Sequence, residues 1–176
     1  LKDFYAGKAQ TTPWIFNTNA MSNWGSDYKN RAYWAMWGLG GNIPQDAVYG
    51  ITQLDYDLKQ LKGENTYLMH INKDQVPKVG GFWSISTYDN DGYLEENDAN
   101  RYVVGSMTGP KFNSDGSLDV YLSHNKPKGA LASNWVPTPE DEFKVLFRMY
   151  WPRPYILNGK YKLPKLIKVE KKTYAH

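Results

Sequence analysis

From Asp46 onward the chain repeats one texture, short apolar segments cut by turn residues at intervals of about ten. Segments of that length suit strands, because an amphipathic helix needs an uninterrupted pattern of roughly ten residues or more. The spacing predicts strands over Ala47 to Leu54, Asn65 to Ile71, Phe82 to Tyr88, Tyr102 to Ser106, Leu118 to Leu122, Phe143 to Trp151 and Leu166 to Val169. Turn chemistry separates them at Lys62-Gly63, Asp91-Gly92, Asp115-Gly116 and Asn158-Gly159. The alternation is clearest after Gly80-Gly81, where Phe82, Ser84, Ser86 and Tyr88 take one side and Trp83, Ile85 and Thr87 the other. In the longest segment Phe143, Val145, Phe147, Met149 and Trp151 share a face that should be core. Lys144, Leu146, Arg148 and Tyr150 take its opposite, only partly wet face. The expected fold is mainly β, two antiparallel layers face to face with tryptophans filling the gap.

The chain before Asp46 reads differently. Leu1 to Gly25 is rich in Thr, Asn, Ser and Gly and carries no sustained period, so it is expected to be an arm lying on something else. Its Trp14, Ile15, Phe16 and Trp24 must cover the domain edge or face a missing partner. Ser26-Asp27 can cap a helix from Tyr28, with Tyr33, Met36 and Trp37 at helical spacing, Trp34 widening the stripe, and Gly38, Gly40 and Gly41 ending it. That stripe is expected to pack on a sheet. The run Gly38-Leu39-Gly40-Gly41-Asn42 follows a helix instead of a strand, which makes it a poor phosphate loop. The division is therefore a connecting arm and helix over 1–45 and a β-sandwich domain over 46–176. Because position one is Leu, the chain reads as a processed or excised piece.

A length of 176 residues lets such a domain bury a core without staples, and there is no cysteine to supply any. A net charge of +3, spread along the chain, is too thin for a nucleic-acid footprint. No apolar run is long enough to cross a bilayer, and Leu1 to Tyr5 lacks the design of an export signal. Aromatic residues make up 15% of the chain, and both sheet packing and sugar-binding surfaces draw on them.

Few residues carry chemistry on their own. Asp89, Asp91 and Asp98 around Gly92 suggest a calcium loop, but Thr87 and Asp98 occupy the positions that need the strongest ligands, and a plain hairpin is preferred. Glu95, Glu96 and Asp98 are candidates for the paired acids of a glycoside hydrolase, although neighbours in sequence rarely flank one bond. His70, His124 and His176 are unclustered and make no metal spacing, and no nucleophile elbow occurs. No cofactor is expected. Arg101, Trp135, Arg148 and Tyr150 are the ligand-binding candidates. A mid-strand arginine must reach water or a partner, so Arg148 either fixes the sandwich through an ion pair or forms the polar end of a groove with Tyr150. Trp135, in a proline-stiffened loop, either plugs the sandwich end or stacks on a sugar.

Five blocks in order carry a family resemblance: Phe82 to Tyr88, Asn100-Arg101-Tyr102, Asp115 to Leu118, Asn134 to Pro137, and Arg148 to Pro152 with Leu157-Asn158-Gly159. Together they resemble the bacterial domain of unknown function 1214, over about Gly38 to Val169. The resemblance implies a jelly-roll-like antiparallel β-sandwich that follows a second β-domain, called domain of unknown function 1254, absent from this chain. It also implies an exported or periplasmic setting, and it brings no catalytic residue. One departure lies at Asp57-Leu58-Lys59, where family members tend to have glycine.

The reading that follows is a noncatalytic β-sandwich module binding a small molecule, a glycan, the missing N-terminal domain or another subunit. Its alternatives are a carbohydrate-active hydrolase using the loop carboxylates, and a structural subunit of an assembly.

Overall fold

The computed structural model describes residues 12–16, 18, 22–37 and 41–169. The arm before Thr12, the helix stop at Gly38 and Gly40, and His176 lie outside them. The described strands are β1 (Ile15–Phe16), β2 (Ala47–Thr52), β3 (Thr66–Ile71), β4 (Trp83–Tyr88), β5 (Val104–Gly105), β6 (Leu118–Ser123), β7 (Trp135–Pro137), β8 (Lys144–Tyr150) and β9 (Leu166–Val169). They form a five-stranded sheet in the order β1-β2-β8-β4-β5 and a four-stranded sheet in the order β7-β6-β3-β9. All pairs are antiparallel except β6 with β7.

Alternation decides which face of each strand meets the other sheet. In β8, Val145, Phe147 and Met149 are fully buried and align across β4 with Thr87, Ile85 and Trp83. The opposing sheet contributes Tyr67, Met69 and Ile71 of β3 and Leu118, Val120 and Leu122 of β6 to the same core. Each such side chain stabilises the fold by about 1.5–3 kcal/mol through burial alone. Tyr67 meets Phe143 edge-on at 5.9 Å, and the Thr87 hydroxyl donates to the Pro137 carbonyl, which ties β4 to β7. Gly92, Gly116 and Gly159 have the positive φ that their turns need. Gly63 serves close approach instead: a Cβ there would lie 1.9 Å from the Pro139 carbonyl oxygen.

Two expectations are corrected. Trp151 does not join the core row of β8; its φ of +52° breaks the alternation at the strand's end and leaves it 63% exposed. The helix α1 (Tyr28–Trp37) does form, with Asp27 accepting the Asn30 amide at 3.1 Å as its cap. Its Met36 is nevertheless exposed and so does not pack on a sheet, and Trp34 stacks on Trp24 at 6.1 Å; the Tyr33 and Trp37 side chains lie outside the described residues. Part of the arm lies on the domain, with Trp14 buried and Ile15 and Phe16 extending the five-stranded sheet beside β2.

Short helical turns occupy Gly129–Asn134, a 3₁₀ helix, and α2 (Pro154–Leu157). Among the described residues no helix is long and apolar enough to cross a membrane.

Candidate functional site

Because Val145, Phe147 and Met149 point inward, the side chains between them stand on the outer face of the five-stranded sheet. Strand register sets their neighbours. One row runs Tyr49, Arg148, Ser84 and Gly105 across four strands, and the next runs Ile15, Ile51, Leu146 and Ser86. Tyr49, Phe82, Tyr88, Arg148 and Tyr150 are all half-buried. Phe82 and Tyr150 stack with centroids 4.3 Å apart, and Tyr49 meets Tyr150 edge-on at 6.4 Å.

Arg148 sits inside this aromatic frame. Its guanidinium donates to the Tyr88 hydroxyl at 2.8 Å and lies 5.3 Å from the centroid of the Tyr88 ring. Among the described residues no carboxylate comes within ion-pair range of it. An arginine carries five donor hydrogens in a planar fork, so most of its capacity here is available for an anion. Burial pushes the Tyr49 phenol above its ordinary value, Tyr150 reinforces the shift, and the Arg148 charge opposes it. Asn42 donates to the Tyr49 hydroxyl at 3.2 Å and holds that ring in place.

The four binding candidates fall in three places. Arg148 and Tyr150 lie together on this face. Arg101 is on the loop before β5, where its guanidinium donates to the carbonyls of Ala132 at 3.1 Å and Ser133 at 2.6 Å and so clamps the 3₁₀ helix. Burial lowers its pKa. Trp135 is buried in β7, its indole N–H donating to the Ser123 carbonyl at 2.9 Å and lying 3.1 Å from the Ser123 hydroxyl. Phe82, Tyr88 and Tyr49 were not singled out from sequence as binding residues. The alternation already placed Phe82 and Tyr88 on one face, but only register brings them to Arg148.

Carboxylates take other positions. Asp89 accepts the Tyr93 amide at 2.7 Å and closes a turn around Gly92, as turn composition favoured, but no strand follows until β5, so the turn does not join a plain hairpin. Glu96 and Asp98 are exposed and Glu95 is half-buried. None of the three lines the open depression of about 610 Å³ formed by Lys62, Glu64, Asn90, Glu140, Asp141 and Glu142. Among the described residues no group of three His, Asp or Glu side chains is arranged to hold a metal ion. His70 Nδ1 lies 2.6 Å from Asp119 on the opposite sheet, and His124 Nδ1 lies 3.0 Å from the Thr138 carbonyl. Serine and backbone hydrogen bonds from Ser117 hold the exposed Asp115 carboxyl below its ordinary value.

The family described as "Protein of unknown function (DUF1214)" matches residues 46–154. No curated protein matches the chain. Among solved structures, the VPA0106 protein from Vibrio parahaemolyticus is 31% identical and superposes with a TM-score of 0.68. That match covers 81% of this chain and 35% of the Vibrio chain, so the present chain spans about a third of that protein's length. An uncharacterised protein from Burkholderia cenocepacia is 16% identical with a TM-score of 0.44, over 73% of this chain and 30% of its own.

Proposed function

The chain belongs to the DUF1214 family of proteins of unknown function, and from that premise we propose that it is a noncatalytic binding module. Its outer five-stranded face receives a carboxylate-bearing ligand at Arg148. The observation that carries this reading is a half-buried, mid-strand guanidinium whose neighbours are aromatic rings and a phenol, with no carboxylate partner among the described residues. A guanidinium in that setting is incompletely solvated and incompletely paired, so an incoming carboxylate gains two parallel hydrogen bonds at little desolvation cost to the protein. Tyr49, Phe82, Tyr88 and Tyr150 supply rigid walls that fix the orientation of what binds.

Titration with galacturonate, followed by the amide resonances of β4 and β8, tests the reading. Shifts centred on Arg148 and Ser84 that vanish in Arg148→Gln are expected, with galactose producing none. Equal shifts from galactose, or shifts that survive Arg148→Gln, would overturn it.

A second reading has its own support. The Vibrio relative is nearly three times as long as the part matched here, and a domain in such extra chain would cover the same face and offer Arg148 a carboxylate. The hydrolase reading is the weaker one, since Glu96 and Asp98 are exposed and neither lines the depression formed by Lys62, Glu64, Asn90, Glu140, Asp141 and Glu142.

A further inference from the structure

Trp151 is the most exposed tryptophan that the structure describes and the one whose backbone is strained. A bulky residue in the left-handed region is an outlier, because its Cβ crowds the neighbouring carbonyl. Burial of the indole does not offset that cost, since the residue is 63% exposed. The conformation is nevertheless held from both sides: the Trp151 amide donates to the Asp46 carbonyl at 2.8 Å, and the Gly80 amide donates to the Trp151 carbonyl at 2.7 Å. Pro152 pairs across to Val79 in the next residue. The indole itself lies against bare backbone, because a Cβ built on Gly80 would sit 3.2 Å from Trp151 Cβ and 3.7 Å from its Cε3. Sequence alternation directs this side chain into the core, and the left-handed backbone leaves it exposed to solvent instead. Strained residues held by surrounding contacts cluster at ligand clamps and active sites, which makes this exposed indole a candidate for such a role.

Resting on the carboxylate reading of Arg148, we infer that Trp151 is a ligand-stacking residue and that the ligand is an acidic oligosaccharide reaching from one to the other. Arg148 and Trp151 are three residues apart at the end of β8, a separation of roughly 10 Å along an extended chain. An oligomer of uronic acids is long enough to span that separation, offering a carboxylate to the guanidinium and the C–H face of a later ring to the indole. The stack of Phe82 on Tyr150 lies between them in the chain and presents a rigid apolar edge to the span. A fixed indole loses little freedom on binding, which is where a preorganised aromatic gains affinity.

Calorimetry with hexagalacturonate, cellohexaose, hexaglutamate and monomeric galacturonate tests the inference on the wild-type chain and on Arg148→Gln, Trp151→Gly and Trp151→Asn. Hexagalacturonate should bind more tightly than the monomer. Both Trp151 variants should weaken it by about tenfold or more, the size of a well-placed aromatic contact. The monomer's affinity should not change in those variants, and their melting temperatures should hold or rise, because glycine and asparagine tolerate this backbone. Unchanged hexagalacturonate affinity in both Trp151 variants would overturn the inference while leaving the Arg148 reading intact. Equal binding of hexaglutamate, lost in the same variants, would replace the glycan by an acidic protein segment and overturn it too. A fall in melting temperature in both variants would make the indole structural. Absence of any Arg148-dependent binding, of monomer or oligomer, would remove the underlying reading itself.

Discussion

Leu58 and Trp151 share a left-handed backbone, with φ of +61° and +52°, and differ in what surrounds them. Leu58 sits in a turn organised by Asp55, whose carboxylate accepts the amides of Asp57 at 2.9 Å and Lys59 at 3.0 Å. The Asp55 amide donates to the Lys59 carbonyl at 2.8 Å, so the loop is closed whatever residue occupies position 58. Its side chain is 44% exposed and adds little to the core. This is the place where the family resemblance predicts glycine, and the backbone shows why glycine suits it. Relief of the left-handed cost, about 1–2 kcal/mol, exceeds the extra chain entropy of glycine, about 0.5–1 kcal/mol. Leu58→Gly should therefore stabilise the protein by roughly 0.5–1 kcal/mol, a rise of about 1–4 °C in melting temperature by calorimetry. A lower melting temperature would mean that the leucine contacts outweigh the strain.

At the scale of elements, most strands that sequence makes legible are long enough to show a period of two; β5, of two residues, is legible from the apolar segment Tyr102 to Ser106 around it. Seven expected segments became β2, β3, β4, β5, β6, β8 and β9, with most trimmed by one or a few residues, β9 unchanged and β6 one residue longer. The two missed, β1 and β7, are two and three residues long, too short for alternation to register, and tertiary pairing alone defines them. The proposed binding face is legible in part for a related reason: alternation places Arg148 and Tyr150 together, but which strand lies alongside is a matter of register. Nothing in the order of residues announces that Tyr88 will reach Arg148, or that φ at Trp151 will change sign. The arm shows the same division. Its aromatics signalled a need for cover, and Trp14 meets it inside the core, with its indole N–H donating to the Pro164 carbonyl at 2.8 Å. β1 is thus held less by its two pairs than by this anchor. Trp14→Ala should cost about 3–5 kcal/mol in denaturant unfolding, as other buried tryptophan truncations do. Trp14→Phe, which keeps most of the area and drops the hydrogen bond, should cost about 1–2 kcal/mol. A loss below roughly 1 kcal/mol for the alanine variant would show that the arm is dispensable to the fold.

For the whole molecule, the contacts that join the two sheets are apolar or neutral. The fully buried side chains are almost all hydrocarbon or aromatic, and the hydrogen bond from Thr87 to Pro137 involves no charge. Among the described residues the single side-chain pair in ion-pair range is His70 with Asp119, an ion pair only when His70 is protonated, set across strands on the outer face of the four-stranded sheet, where solvent screens it. Exposed pairs of this sort contribute about 0.2–1 kcal/mol and weaken further as salt shortens the Debye length to about 3 Å at 1 M. A net charge of +3 over 176 residues adds little self-repulsion for salt to relieve. The two electrostatic effects also oppose each other, one stabilising at low salt and the other at high. Raising sodium chloride from 0.05 M to 1 M, ~20-fold, should thus move the melting temperature by no more than about 4 °C, the shift that 1 kcal/mol produces in a domain of this size. Ligand affinity at Arg148 should behave oppositely and fall steeply over the same range, because there a charge meets a charge near water. A melting temperature that tracks salt as strongly as binding does would place unseen ion pairs in the fold, and the division between an apolar scaffold and a charged outer face would fail with it.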